Sequence, residues 1–547
     1  MLTILLGLIL FGAVCALIMA IAFKAQRGLR LTGYQSMARY GKQTQMMQDK
    51  HDLGRFGLAQ LLRRSGGGIW PLGLSSGSMA LIGSSVILFG PALQQGGLSV
   101  IGYGLPLLGL FYLCVSGSLA ELSSAYPVAG SFYHASYEMG GRRWGLRAGW
   151  FHAAGHLAML ALLVGGCAYL ADGAASAFLG YDSSIFSFGA MILAVAGTLA
   201  AVHQYGAAWL KVIHAAGLWF QLLCAVLIIA GLTWMFWPGG YSPALLYEMQ
   251  TIDFSGKVGL EPFLVALLLL AKLFLGMDGA SQGAEETIEP RVRVPWAIFL
   301  STSYTFVIGL VLLTFLALTA GSIQAAGGGF EPSLGWNNGL AGLNGFMESA
   351  LTGFGGSPLV LLLIIGTLWG SGLQSLSVCA RALLGLAREE AVPFAGKVGW
   401  ISGRTQTPWL AGWISAAVAV MMLAGAQLLR PEASLLPLLG FSIVTLHAAY
   451  AIPIGLRFTH WKPAGTARKR RPWAGTSVES RWSSAPWQLG GWSPAVNGAA
   501  FLWLVATAAA AAVFLDHAAA VGGAAIVLLV TVFELGDGRR ARRASGK

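Results

Sequence analysis

Lys272 lies twelve residues into an apolar run that begins near Leu260. At about 1.5 Å per helical residue it is some 18 Å deep, past the middle of a hydrocarbon core about 30 Å thick. An ionised side chain there costs at least about 2.5–3.5 kcal/mol. Lys272 must therefore face a wet cavity, pair with an anion or lose its proton. It can contact an acidic substrate group or couple protons; packing against a hydrogen-bonding neighbour helix is the plainer alternative. Asp278, the nearest embedded acid, can cap the helix that follows it or touch a substrate or a proton directly. Glu285, Glu286 and Glu289 stand near Arg291 and Arg293, which suits ion pairs that shape a gate. Glu121 lies near Arg142 and Arg143 and reads as structural.

His152, His156, His203, His214 and His447 lie in or beside apolar runs, where a lone histidine is most often a hydrogen-bonded core residue. No Ser/His/Asp triad, metal-spaced Cys/His cluster, phosphate loop or nucleotide motif is visible in the sequence. The five cysteines, Cys15, Cys114, Cys167, Cys224 and Cys379, sit in apolar runs and read as packing residues. Neither an enzyme nor a cofactor is expected.

The elements that position these groups follow from composition. Of 547 residues, 56% are hydrophobic and 10% charged, against about 25% charged in an ordinary soluble domain. That excludes a cytosolic enzyme, a disordered chain and a nucleic-acid-binding domain; the chain is solvated mainly by membrane lipid. Apolar runs cover about 2–23, 69–92, 98–121, 147–171, 184–203, 213–237, 260–284, 295–320, 357–382, 407–427, 434–456, 494–515 and 518–536. Each is long enough to span. All are expected to be helices, because lipid cannot satisfy an open backbone.

Alternating the sides from an outer N-terminus puts 31 of the 34 basic residues on one side, the inner one. The exceptions are Lys257, Arg430 and the embedded Lys272. The net charge of +12 is thus explained by orientation, and no nucleic-acid partner is needed. The first run has its basic residues after it, at Lys24, Arg27 and Arg30, unlike a signal peptide. It reads as an anchor, with an inner linker to residue 68. Part of that linker, Asp52 to Arg64, suits an amphipathic surface helix carrying Leu53, Phe56, Leu61 and Leu62. A short helix is expected near 341–350. The basic stretch Arg468-Lys469-Arg470-Arg471 is an inner anchor, or a weaker contact for anionic lipid head groups.

Two spans are interrupted near mid-membrane, at Leu81-Ile82-Gly83-Ser84-Ser85-Val86 and at Phe274-Leu275-Gly276-Met277-Asp278-Gly279-Ala280. They lie five helices apart, in corresponding positions of two five-helix units, 69–237 and 260–456. Five being odd, the second unit must be inverted. Paired broken helices in inverted repeats point to a transporter's central site. Close helix packing is the alternative use of either glycine.

Three motifs then resemble the amino acid–polyamine–organocation (APC) permeases, in particular their amino acid/choline transporter branch. Ala120-Glu121-Leu122-Ser123-Ser124-Ala125-Tyr126-Pro127-Val128-Ala129-Gly130-Ser131-Phe132-Tyr133 looks like that branch's AELxSAYPxAGxxY loop. The stretch Asp278-Gly279-Ala280-Ser281-Gln282-Gly283-Ala284-Glu285-Glu286-Thr287 looks like DAxAHxxEET, with Gln282 where many relatives have His. The run from Arg381 to Pro393 resembles RxxxAxARDxxxP. The first break, Gly-Ser-Ser, departs from the Gly-Ser-Gly of many relatives, and the anchor at 2–23 lies outside the usual twelve-helix pattern.

The resemblance implies an all-α membrane protein with a twelve-helix core, a five-plus-five inverted repeat, broken first and sixth helices and one extra N-terminal helix. It implies three regions: anchor and linker at 1–45, transport core at 46–456, and a basic linker, two last helices and a tail at 457–547. A half-helix starting at Ser84 would offer the N–H groups of Gly83, Ser84 and Ser85 to a carboxylate. Carbonyls near Ile82, Leu275 and Gly276 would hold an ammonium group. His156 is a pocket candidate because the third span lines the site in that fold. Lys211 and His214 are coupling candidates because a basic residue on the fifth span can occupy the sodium site of sodium-independent relatives. The expected function is secondary active transport of amino acids or related amines by alternating access, driven by protons. The expected place is a bacterial inner (cell) membrane, with the C-terminus cytoplasmic. The rival is a membrane-embedded sensor or accessory subunit that keeps the fold without transport.

Overall fold

The computed structural model describes residues 2–31, 59–236, 243–247, 259–325, 357–429, 435–460 and 484–544, with positions 47, 49–50, 52–54 and 482 between them. The short helix expected near 341–350, the basic run Arg468–Arg471, and Phe56, Lys257 and Arg430 lie outside the described residues.

Among the described residues the chain is helical, apart from one isolated bridge between Gly66 and Thr287. Eleven helices are long and apolar enough to cross a membrane, and the bent pair at 69–96 makes a twelfth. The last helix has a shorter apolar stretch, Ala519–Val532. The elements in order are α1 (Leu2–Leu31), α2 (Ile69–Met79), α3 (Leu81–Gly96), α4 (Leu105–Ala125), α5 (Ser131–Gly140), α6 (Arg142–Leu179), α7 (Ile185–Gln204) and α8 (Ala207–Phe236). After them come α9 (Leu260–Ala271), α10 (Gly279–Gln282), α11 (Pro290–Ala325), α12 (Ser357–Arg388) and α13 (Ala395–Val398). The chain ends with α14 (Trp409–Leu429), α15 (Leu435–His460), α16 (Ser493–Ala510) and α17 (His517–Ala544).

The two broken spans pack on each other half by half: α2 lies against α10, and α3 against α9. Around them, α6 packs on α15 and α12, and α4 packs on α11 and α16. The basic residues Arg64, Arg142, Arg291, Arg381 and Arg388 mark one face of the bundle, called here the basic face. At that face, buried Glu121 accepts hydrogen bonds from the Leu489 N–H (3.2 Å), Ser493 (2.7 Å) and Asn497 (3.4 Å). It thus anchors the head of α16.

Two local expectations change. Residues 52–54 are helical, but the segment from 59 to 68 is not and Gly66 pairs with Thr287, so the expected amphipathic helix does not run on to Arg64. Leu53 and Leu62 are buried all the same, while Leu61 is exposed. The first break falls at Ala80, three residues before Gly83. Ala80 is left-handed (φ 54°, ψ 58°), a conformation costing an alanine roughly 1–2 kcal/mol. Gly83 serves another purpose: a Cβ there would stand 2.4 Å from Leu368 Cδ2, so the missing side chain lets α12 approach α3.

The N-terminal helix α1 packs on α4 and on the turn Pro243–Tyr247. It buries Val14, Ile21 and Ala25, whereas Leu5, Leu6, Leu8 and Ile9 are more than half exposed. That is the pattern of a peripheral helix with a lipid-facing side.

Candidate functional site: the paired helix breaks

Because α2 stops at Met79, its last carbonyl needs a partner. Ser84 supplies one by folding its hydroxyl back onto the Met79 carbonyl at 2.8 Å. Lys272, 2% exposed, donates to the same carbonyl at 3.3 Å and to Ser84 Oγ at 3.0 Å. A cation at a helix C-terminus is favourably placed. Lys272 therefore ties one broken span to the other at the level of the breaks, and its contact is a carbonyl and a hydroxyl, with Asp278 engaged elsewhere.

Beyond Ala80, α3 begins with the N–H groups of Leu81, Ile82 and Gly83, which lack intrahelical acceptors by position. The Ser84 N–H is already bonded to the Ala80 carbonyl at 2.7 Å. The expected donor set thus shifts toward the N-terminus: Ile82 and Gly83 keep open N–H groups, while those of Ser84 and Ser85 lie within the helix. The Ser85 hydroxyl is buried without a hydrogen-bond partner.

The second break lies where the sequence puts it. A tight turn, Lys272–Phe274, leads to extended Leu275 (ψ 136°) and to Gly276 at φ +92°. A Cβ on Gly276 would meet the Ser78 backbone at 3.0 Å, so both the dihedral and the close approach to α2 require glycine. Ser75 bridges the two breaks, donating to the Met277 carbonyl at 2.7 Å and accepting from the Ala280 N–H at 2.8 Å. The Gly276 carbonyl takes the Gly279 N–H at 3.0 Å and keeps a second lone pair.

Asp278 heads α10 but makes no side-chain cap. Its carboxylate turns instead toward α6 and α15. It meets His152 Nε2 at 2.5 Å and His156 Nε2 at 3.2 Å, and it accepts a hydrogen bond from the Tyr450 hydroxyl. All four side chains are buried. His152 and His156 reach one carboxylate because residues four apart share a helix face. Phe132 stacks on His152, with ring centroids 4.9 Å apart. The sequence offered His156 as a pocket candidate; the structure puts it against Asp278. His152 was read only as one of several core histidines, and Tyr450, 172 residues from Asp278, gave no sequence signal.

The His152, His156 and Asp278 ligand atoms lie within 4.8 Å of one another, a donor set that can hold a metal ion. Zinc, however, sits about 2.0–2.1 Å from each ligand in a tetrahedron, which keeps ligand atoms about 3.3 Å apart. The 2.5 Å separation of His152 and Asp278 is that of a hydrogen bond. The cluster is held together by hydrogen bonds.

On the basic face the mouth between α2 and α10 is closed by charge. Arg381, fully buried, donates to Glu286 at 2.7 Å and to the Ser377 carbonyl at 2.8 Å. Lys211 meets Glu286 at 3.1 Å and also donates to Ser65 Oγ at 2.9 Å. Glu285 pairs with Arg388 at 2.5 Å. Trp70 stands in the middle, bonded to Thr287 Oγ1 at 3.2 Å and stacked on His214 with ring centroids 5.7 Å apart. The Lys211 ammonium and the Arg381 guanidinium lie over its ring, at 5.7 and 5.5 Å. Burial raises the Glu286 pKa, but the adjacent Arg381 and Lys211 outweigh it and hold the carboxyl below its ordinary value.

This corrects the expected pairing. Glu285 and Glu286 reach across to α12 and α8, because the turn Ala284–Glu286 points them away from the helix that follows. Only Glu289 pairs with a neighbouring arginine, Arg293, at 3.1 Å. Lys211 and His214 belong to this closure and do not reach the helix breaks.

An all-helical membrane protein with two broken helices packed half to half has the architecture of a transporter. A manganese transporter of Eremococcus coleocola superposes with a TM-score of 0.51 over 87% of this chain and 95% of its own, at 14% identity. That likeness is one of fold. The chain belongs to the amino acid permease family, whose model matches residues 72–533. Its relatives include Amino-acid permease 2 of Neurospora crassa, 26% identical over 75% of this chain and 72% of the relative. Amino-acid permease BAT1 of Arabidopsis thaliana is 22% identical over 83% of this chain and 86% of the relative. The protein is a multi-pass integral membrane transporter of the APC superfamily, and not an enzyme.

Proposed function

We propose that the chain carries an amino acid or related amine through the breaks by alternating access, coupled to protons, with the basic face in the cytoplasm of the cell membrane. The observation that carries this reading is the facing pair of breaks. On one side stand the open N–H groups of Leu81, Ile82 and Gly83, with the Lys272 ammonium close by at Ser84 (3.0 Å). On the other stand the bent backbone of Leu275 and Gly276 and the Asp278 carboxylate. The first set suits a carboxylate. The second suits an ammonium group, which a carbonyl lone pair can accept.

The Glu286–Arg381–Lys211 and Glu285–Arg388 pairs act as the inner gate in this reading. In the state described the gate is shut, and the substrate would enter from the opposite face. The core spans 46–456, with halves 69–237 and 260–456; residues 1–45 are accessory, and residues 457–547 hold the linker and the last helix pair. Proton drive is favoured over sodium because the Lys272 amine already occupies the carbonyl end of the first break.

Labelled amino acids offered to proteoliposomes under an imposed pH gradient test this. Accumulation above equilibrium, collapsed by an uncoupler, is the expected result. A thermal-shift screen against amino acids and amines selects which to label. Accumulation that follows a sodium gradient and ignores the pH gradient would contradict the coupling.

A further inference from the structure

The cluster around Asp278 joins two sets of helices. Asp278 heads α10, which packs on α2, whereas His152 and His156 lie on α6 and Tyr450 on α15, which pack on each other. A change in the cluster's charge therefore changes the grip of one set on the other. A small recess opens on the basic face, lined by Phe132, His134, Gly149, His152, Gln282 and Gly385. Gln282 accepts from the Gly130 N–H at 3.3 Å at its edge. His152 keeps 3% exposure and lines this recess, while His156 behind it keeps none.

The titratable groups nearest the cluster have other neighbours: His134 on α5, which also lines the recess, lies edge-on to the Tyr133 ring at 5.2 Å. Tyr112 on α4 bonds His447 on α15 at 2.9 Å. Lys272 holds Met79 and Ser84, Glu285 holds Arg388, and Glu286 holds Arg381 and Lys211. Tyr133 on α5 donates to Glu389 at 3.0 Å. None of these lies within hydrogen-bond distance of the Asp278 carboxylate.

Consider the cluster's charge. With one imidazolium and one carboxylate the buried site is neutral overall. Removing that proton leaves a buried carboxylate held by two neutral imidazole N–H groups and a tyrosine O–H. Adding a second proton puts two cations side by side, with ring centroids 4.5 Å apart, which low-dielectric surroundings oppose. The cluster is therefore built to gain and lose one proton.

We infer that His152, His156, Asp278 and Tyr450 form the proton-carrying site of the transport cycle, with His152 exchanging the proton through the recess on the basic face. This rests on the transport reading above. In the loaded state the imidazolium–carboxylate pair binds α6 to α10. Release passes the proton from His152 to water in the recess and weakens that bond, so the helices of the break can move relative to α6 and α15.

The test measures two quantities in proteoliposomes: substrate-driven acidification of the lumen, read by a trapped pH dye, and labelled amino-acid counterflow, which needs no net proton movement. In His152→Gln, acidification should fall at least about tenfold while counterflow falls far less, because the glutamine amide can still bond the carboxylate but cannot carry a proton. Its uptake should lack the pH dependence expected of the wild type between about pH 5 and 8. Tyr450→Phe removes one donor to the carboxylate, so its pH profile should shift to higher pH with coupling retained. Wild-type acidification in His152→Gln would overturn the assignment, as would an unmoved profile in Tyr450→Phe. A wild-type protein that counterflows without acidifying would overturn it too, yet leave transport standing. Absence of wild-type counterflow with any amino acid would remove the transport reading and this assignment with it.

Discussion

Lys272 and Glu286 are both buried charges whose partners decide what they do. Lys272 sits on the last carbonyl of α2, so Lys272→Met removes a cation from a helix end and leaves the Met79 carbonyl with Ser84 alone. Uptake should fall at least about tenfold, or its pH dependence should shift, since an intramembrane charge is retained at a cost of several kcal/mol. Transport like the parent's between about pH 5 and 8 would exclude both roles. Glu286 is different, because its two cations keep it ionised. Its pKa in the folded protein is held below the ordinary 4.5. The stability it contributes is therefore fully present above about pH 4.5 and is lost as the pH falls through the lower folded value. Glu286→Gln should lower the thermal midpoint near neutral pH, since it strands Arg381 and Lys211, a loss of about 3–5 kcal/mol for a buried pair. It should also flatten the acid limb of the midpoint against pH. A variant with the parent's acid limb would show that the gate draws nothing from this carboxylate.

At the scale of elements, the spans were legible because lipid enforces long apolar runs, and each run is a helix or a broken helix. The second break was legible because Gly276 needs a positive φ, which only glycine adopts easily. The first was misplaced by three residues. The sequence offers Gly83 as the flexible point, but tertiary packing spends that glycine on Leu368 and puts an alanine in the left-handed turn. The Asp52–Arg64 stretch has an amphipathic pattern, yet its end at 59–64 is not helical, and Arg64 donates instead to the Thr287 carbonyl at 2.8 Å. The anchor α1 packs on α4, on Val100–Gly104 and on the Pro243–Tyr247 turn, and its Phe11 stacks on Phe306 of α11, all away from the two breaks. Deleting residues 1–45 should therefore leave uptake intact while lowering thermal stability, because the faces that cover Val14, Ile21 and Ala25 become exposed. Loss of uptake in a properly inserted truncate would place α1 within the working core.

At the scale of the whole molecule, the charge distribution gives an expected orientation and the motifs point to the family. Neither could reveal which distant residues would meet. Asp278 was visible as an embedded acid, but its neighbours come from helices more than a hundred residues away in both directions. Glu285 and Glu286 were visible as ion-pair candidates, but their partners Arg388, Arg381 and Lys211 required the fold. The central claim is that this arrangement moves an amino acid rather than merely binding it. Counterflow of a labelled amino acid into proteoliposomes preloaded with the unlabelled one tests that most directly. The account predicts transient accumulation above equilibrium that is abolished in Gly276→Leu, whose side chain would strike the Ser78 backbone. An amino acid that raises the thermal midpoint of the wild-type protein but shows no counterflow would contradict it and leave a sensor in its place.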